Sequence, residues 1–177
     1  MNAKVLSIAV VAIICLGAVG VYYVALDDDD GAISIVDGSG KTITLDAPID
    51  KAIVVNTNIA KALNILGLND NVAGLSFSAA ASGDRSWESM KGLFPEAKRT
   101  SAYGVLTAEE ARELGKYIIC PVSSMTISIQ DQIAAFEEMG ITLIRLDCNG
   151  EDVLEDFKKL MILFGESDQV KEAYDTY

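Results

Sequence analysis

Between Ala52 and Ser76 the chain reads AIVVNTNIAKALNILGLNDNVAGLS. Two apolar runs of strand length flank one helix-length segment, which Gly67 terminates. Two adjacent strands with a helix between them must run parallel, because a hairpin turn cannot supply that crossover. The segment therefore predicts a βαβ unit: a strand over Ala52–Val55, a helix over Ile59–Leu66 with Asn58 as its cap, and a strand over Val72–Leu75. The turn between strand and helix, Asn56-Thr57-Asn58, contains no glycine. Phosphate-cradling turns at this position use glycine so that the backbone can approach the anion, so this turn is suited to something else.

The pattern continues on both sides. Upstream, AISIVDGSGKTITLD alternates apolar and polar residues around Gly38-Ser39-Gly40, the signature of a β-hairpin with Ile33, Ile35, Ile43 and Leu45 facing inward. Downstream, Thr107 caps a short helix stopped by Gly115, and Tyr117–Cys120 is a strand ended by Pro121. A helix over Ile129–Met139 leads to a strand over Ile141–Leu146. Glu151–Gly165 is strongly helical, and a last helix starts near Ser167. Residues 87–93 have the character of one or two helical turns. Strands separated by helices predict an α/β fold, a parallel helix-covered sheet preceded by the hairpin.

The amino-terminal end has a different character. Val5 to Leu26 is an uncharged run preceded by Lys4 and followed by four aspartates, Asp27 to Asp30. As a helix it would cover about 33 Å, enough to cross a bilayer core. The charge asymmetry places Lys4 inside and the aspartates outside. The run is long for a secretory signal, and its tolerable cleavage site, Ala18-Val19-Gly20, falls inside it, which favours a retained anchor over a cleaved leader. Either way residues beyond it are exported. The expected organisation is an anchor and acidic spacer over residues 1–30, an α/β lobe over 31–150 and a helical region over 151–177. The expected location is the outer face of the cytoplasmic membrane, or the exterior if the leader is cleaved.

Charge and composition exclude several functions. All 26 acidic residues, and all but Lys4 of the 14 basic ones, lie beyond the apolar run, so the exported part is strongly anionic. Such a surface repels phosphate backbones, and nucleic acid is not an expected partner. The chain has no histidine, which removes Ser-His and Cys-His nucleophile pairs and the commonest zinc ligand. No G-x-G-x-x-G, Walker loop or nucleophile elbow occurs. Asp147 to Asp152 has the wrong spacing for a calcium loop, and Asn149 or Asp152 reads better as a helix cap. No cofactor or metal ligand set is expected. Cys120 and Cys148 are either a disulfide or two buried thiols.

Four stretches, in order, resemble one family. VDGSGKTITLDAPIDKAIVVNTNIAKALNILGLNDNVAGLS, YGVLTAEEARELGKYIICP, FEEMGITLIRLD and FKKLMILFGESDQVKEAYDTY together resemble the substrate-binding proteins of ABC importers for ferric siderophores, haem and cobalamin, the class with a single rigid helix between two lobes. The likeness spans residues 32–177. It departs where the family has an arginine before the first strand (here Lys51-Ala52) and a glutamate in the first helix (here Ala60-Lys61). Family members are about twice as long, so the resemblance implies the amino-terminal lobe alone, as a fragment or truncated product.

The resemblance implies an extracytoplasmic binding component, not an enzyme, whose partners are an iron chelate or corrinoid, ABC permease subunits and, through residues 5–26, the membrane. Ligands of open α/β sheets sit beyond the carboxyl ends of the strands. The expected ligand-binding residues are therefore Asn56, Thr57, Asn58, Phe77, Ser78, Ser123 and Ser124, with Tyr103 and Gly104 added by the resemblance. Glu109, in the helix capped by Thr107, is the residue it implies for docking to a permease. Two alternatives stand beside this: an anchored extracytoplasmic enzyme using a carboxylate pair, and a sensor or scaffold lobe without a ligand.

Overall fold

A computed structural model of the chain describes residues 32–76, 90–100, 106–122 and 132–176. Strands β1 (Ile33–Val36) and β2 (Thr42–Leu45) form the predicted antiparallel hairpin, with Ile33 opposite Leu45 and Val36 opposite Thr42. Ile35, Ile43 and Leu45 are buried, while Ile33 is only half-buried. There follow β3 (Ala52–Val54), α1 (Thr57–Ile65), β4 (Val72–Leu75) and β5 (Lys98–Arg99). The chain then forms α2 (Ala108–Leu114), β6 (Tyr117–Cys120), α3 (Ile133–Glu138), β7 (Thr142–Arg145), α4 (Val153–Phe164) and α5 (Asp168–Thr176).

β3 to β7 make one parallel sheet in the order β5-β4-β3-β6-β7. Its central strands β3, β4 and β6 are short apolar runs because both faces are covered. Successive residues alternate between faces. Val54, Ile119 and Ile144 join α1, α4, α5 and the hairpin in one apolar cluster, whereas Ile53, Ile118 and Leu143 pack with Leu106, Ala111 of α2 and Phe136 of α3 in another. Each such isoleucine or leucine contributes about 1.5–3 kcal/mol by leaving water. α1, α3 and α4 each end beside a glycine with left-handed backbone, Gly67, Gly140 and Gly165.

Several expected boundaries move. α1 starts at Thr57, and its cap is Asn56 rather than Asn58: Asn56 is extended (φ −143°, ψ 142°) and its Oδ1 accepts the Asn58 amide at 2.6 Å. The apolar stripe starts at Ile59, but a helix starts at its capped first turn, which begins two residues earlier. Neither Asn149 nor Asp152 caps α4 through its side chain; Gly150–Asp152 form a 3₁₀ turn instead. β5 was not expected, since two charged residues carry no strand pattern. α3 is described from Ile133, and residues 129–131 lie outside the described residues. α5 starts as expected beside Ser167, whose hydroxyl accepts the Val170 amide at 3.3 Å.

The two edges of the sheet are closed differently. β5 is two exposed basic residues long, an edge that another strand cannot readily extend. β7 is covered by the hairpin tip: the Arg145 amide donates to Asp37 Oδ2 at 3.1 Å, and the Gly38 amide donates to the Arg145 carbonyl at 2.7 Å. A side chain at Gly38 would meet Val122 Cγ2 at 2.4 Å, so glycine is needed for this approach. The glycine-rich tip is thus a backbone docking device.

Candidate ligand-binding edge

After β3 the chain adds β4 and β5 on one side, then returns to add β6 and β7 on the other. The direction of winding reverses between β3 and β6, and this is where open sheets leave a crevice beyond their carboxyl ends. Val55 continues the pairing by donating its amide to the Ile119 carbonyl at 3.0 Å. Asn56, Thr57 and Asn58 then leave the end of β3, while Pro121 and Val122 leave the end of β6.

At the β3 end, the Asn56 side chain is occupied as the helix cap. Thr57 and Asn58 are half-buried, and their side chains make no hydrogen bond with a described residue. At the end of β4, Ser76 donates its amide to the Val54 carbonyl at 2.8 Å, and its buried hydroxyl has no partner among the described residues.

The β7 end is different. Here a cavity of about 260 Å³ is lined by Asp37, Asp147, Asp152, Glu155, Asp156 and Lys159, among others. So many carboxylates suggest a cation site, but Asp37, Asp147 and Asp156 each accept backbone amides, and Glu155 is paired with Lys159. Asp37 Oδ1 accepts the Ser39 amide (2.9 Å), the Ser39 hydroxyl (2.7 Å) and the Lys41 amide (3.1 Å). Asp147 Oδ1 accepts the Val122 amide at 2.8 Å. Asp156 Oδ2 accepts the amides of Asp147 (3.0 Å) and Cys148 (2.9 Å). Lys159 lies 3.0 Å from Glu155 and 3.7 Å from Asp156. No group of three or more acidic, cysteine or histidine side chains among the described residues is arranged to hold a metal ion.

Burial raises the Asp156 carboxyl above the ordinary aspartate range, opposed by the Cys148 amide and by Lys159. The two cysteines are free and buried, Cys120 in the cluster with α2 and α3 and Cys148 in the cluster with α1 and α4. Burial pushes the Cys120 thiol up to about 11 and the Cys148 thiol higher still, so both stay protonated at neutral pH and are poor nucleophiles.

Among the expected site residues, the structure places Asn56, Thr57 and Asn58 at the carboxyl end of β3, where α1 begins. Phe77, Ser78, Tyr103, Gly104, Ser123 and Ser124 lie outside the described residues, as does the apolar run over residues 5–26. No described helix is long and apolar enough to cross a membrane. Glu109 is exposed at the start of α2. Its neighbour Glu110 completes a capping box: the Glu110 amide donates to Thr107 Oγ1 at 3.2 Å, and the Thr107 amide donates to Glu110 Oε2 at 3.1 Å. Sequence reasoning missed Asp37 and Asp156. An aspartate directly before a Gly-Ser-Gly turn, and an acid on the apolar face of a helix, were the available signals.

No family model matches the chain, and no curated protein does. Solved structures do. FepB from Veillonella parvula, a TroA-like periplasmic binding protein, is 22% identical with a TM-score of 0.60; the match covers 81% of this chain and 45% of that one. The heme binding protein HmuT is 16% identical with a TM-score of 0.58, over 90% and 48% of the two chains. PiuA from Streptococcus pneumoniae, an iron uptake ABC transporter substrate-binding protein, is 15% identical with a TM-score of 0.58, over 81% and 47%. The chain therefore spans a little under half the length of the proteins it matches. The fold is that of one lobe of the TroA-like periplasmic binding proteins, as the resemblance implied.

Proposed function

We propose that this chain is an extracytoplasmic ligand-capturing lobe of an ABC importer for an iron chelate or a macrocycle such as haem. The observation that supports the reading is the reversal of strand order between β3 and β6, with the glycine-free turn at the carboxyl end of β3 carrying Thr57 and Asn58, whose side chains make no hydrogen bond with a described residue. A bulky chelate is held by a broad wall with a few hydrogen bonds, not by a tight anion nest. Solved proteins of this fold include an iron uptake protein and a heme binding protein, which supports that ligand class over a carboxylate-pair enzyme. Phe77, Ser78, Tyr103, Gly104, Ser123 and Ser124 complete the proposed wall, and residues 5–26 are the proposed membrane anchor.

Glu109 is the proposed contact to the permease. Glu110 is engaged in the capping box, which leaves Glu109 as the exposed carboxylate of that turn. Such a group, rigidly placed, can pair bidentately with an arginine.

Titration of the full chain with haemin, ferric tris-hydroxamate, ferric tris-catecholate and a corrinoid tests the reading. A saturable spectral or thermal shift with an iron chelate or haemin is expected. A response to the corrinoid alone redirects the ligand class, and no response to any of the four overturns the proposal. Glu109→Arg is expected to leave that binding intact and to lower transport by the assembled importer.

A further inference from the structure

The carboxylates at the β7 end form a chain of contacts that runs from a helix to the crevice. Asp156 lies in the first turn of α4 and is only 5% exposed. Its Oδ2 holds two consecutive amides, those of Asp147 and Cys148, the second and third residues beyond β7. Holding both turns the backbone sharply, and Cys148 adopts a left-handed φ of 50°, uncommon for a residue other than glycine. Asp147, fixed in this way, directs its own Oδ1 to the Val122 amide, 25 residues earlier in the chain. Val122 is the second residue beyond β6, the strand that borders the crevice opposite β3. Lys159, one turn along α4, balances the charge of Asp156.

We infer that Asp156 is a positioning residue: through Asp147 it sets the backbone at Val122, and so fixes one wall of the ligand crevice from α4 without touching the ligand. The role in binding rests on the function proposed above; the relay itself does not. Each link is a carboxylate accepting a backbone amide, an acceptor stronger than a neutral one. The order of the links is also fixed. Loss of Asp147 frees only Val122, whereas loss of Asp156 frees Asp147, Cys148 and, through the displaced Asp147 side chain, Val122.

Amide hydrogen exchange in the full chain without ligand tests this order. Asp156→Ala is expected to speed exchange at Asp147, Cys148 and Val122 by roughly tenfold or more, leaving the amides of α1 and β3 unchanged. Asp156→Asn keeps an oxygen acceptor in the same place and is expected to restore protection at all three. Asp147→Ala is expected to free Val122 while Cys148 stays protected, and it serves where Asp156→Ala does not fold. Unchanged exchange at Val122 in both alanine variants, or uniform acceleration across the chain, overturns the relay. Haemin and ferric tris-hydroxamate titrations form the second arm. Affinity for whichever probe binds should fall in Asp156→Ala and return in Asp156→Asn; intact affinity alongside faster Val122 exchange overturns the positioning role. If the unmodified chain binds none of the four probes titrated above, the proposed ligand class fails and the exchange result still decides the relay.

Discussion

The β3 and β7 ends of the same sheet edge use polar residues in opposite ways. At the β7 end, Asp37, Asp147 and Asp156 accept seven hydrogen bonds between them, six from backbone amides and one from the Ser39 hydroxyl. At the β3 end only Asn56 is engaged in this way, and Thr57 and Asn58 are unengaged with described residues. The acidic corner looks like a binding site by composition and is scaffolding by geometry. The mild-looking Asn-Thr-Asn turn is where polar groups remain available. Counting charged side chains in a cavity therefore misleads unless the amides they already serve are subtracted.

The contrast can be broken most forcefully at Asp37. It is 3% exposed, and Asp37→Ala removes the acceptor for three amides and a hydroxyl at once. A stability loss of about 2–4 kcal/mol is expected, read by chemical denaturation, because unsatisfied buried donors cost about 1–3 kcal/mol each and those at the exposed tip recover water. A loss below about 0.5 kcal/mol, the level typical of surface changes, would mean that the corner is not scaffolding.

Asp156 gives an intermediate effect that depends on pH. Its folded-state carboxyl is raised above the ordinary value of 3.8, first by burial. A group raised on folding adds stability that is fully present below the unfolded value and is lost as pH rises through the folded one. The unmodified chain should therefore gain melting temperature relative to Asp156→Asn as pH falls from neutral toward 3.8. A difference that is flat with pH, or that moves the other way, contradicts the burial of this group.

The smallest stability effect belongs to the β3 end. Thr57→Ala and Asn58→Ala should each change stability by about 0.5 kcal/mol or less, since neither side chain is engaged with a described residue. Both should weaken binding of an iron chelate or haemin by the full chain. A large stability loss without a binding effect would make this turn the scaffold and reverse the comparison.

Much of the fold was legible because its signals are local. The apolar run at Ala52–Val55, the stop at Gly67 and the alternation around Gly38-Ser39-Gly40 each need only a few neighbouring residues to be read. The cap at Asn56 was misplaced by two residues, since apolar spacing locates a helix face better than its first free amide. β5 escaped because Lys98 and Arg99, which pair with β4, carry no apolar alternation. The candidate site was legible only as strand ends. Which polar groups there are free depends on contacts such as Val122 with Asp147, which no local pattern encodes.

The bond between Asp37 and the Arg145 amide joins residues 108 positions apart. In order of synthesis, then, the hairpin is the first described element to appear and among the last to be fully supported. β3, the middle of the sheet, is laid down early, and the strands that cover its two sides arrive afterwards, first one flank and then the other. Until β7 is in place, β6 is itself an open edge and the carboxylate of Asp37 has no amide across from its tip. A chain emerging amino-terminus first therefore lays down the sheet from its centre outward, and the hairpin tip meets its partner at Arg145 only once the last described strand has been made.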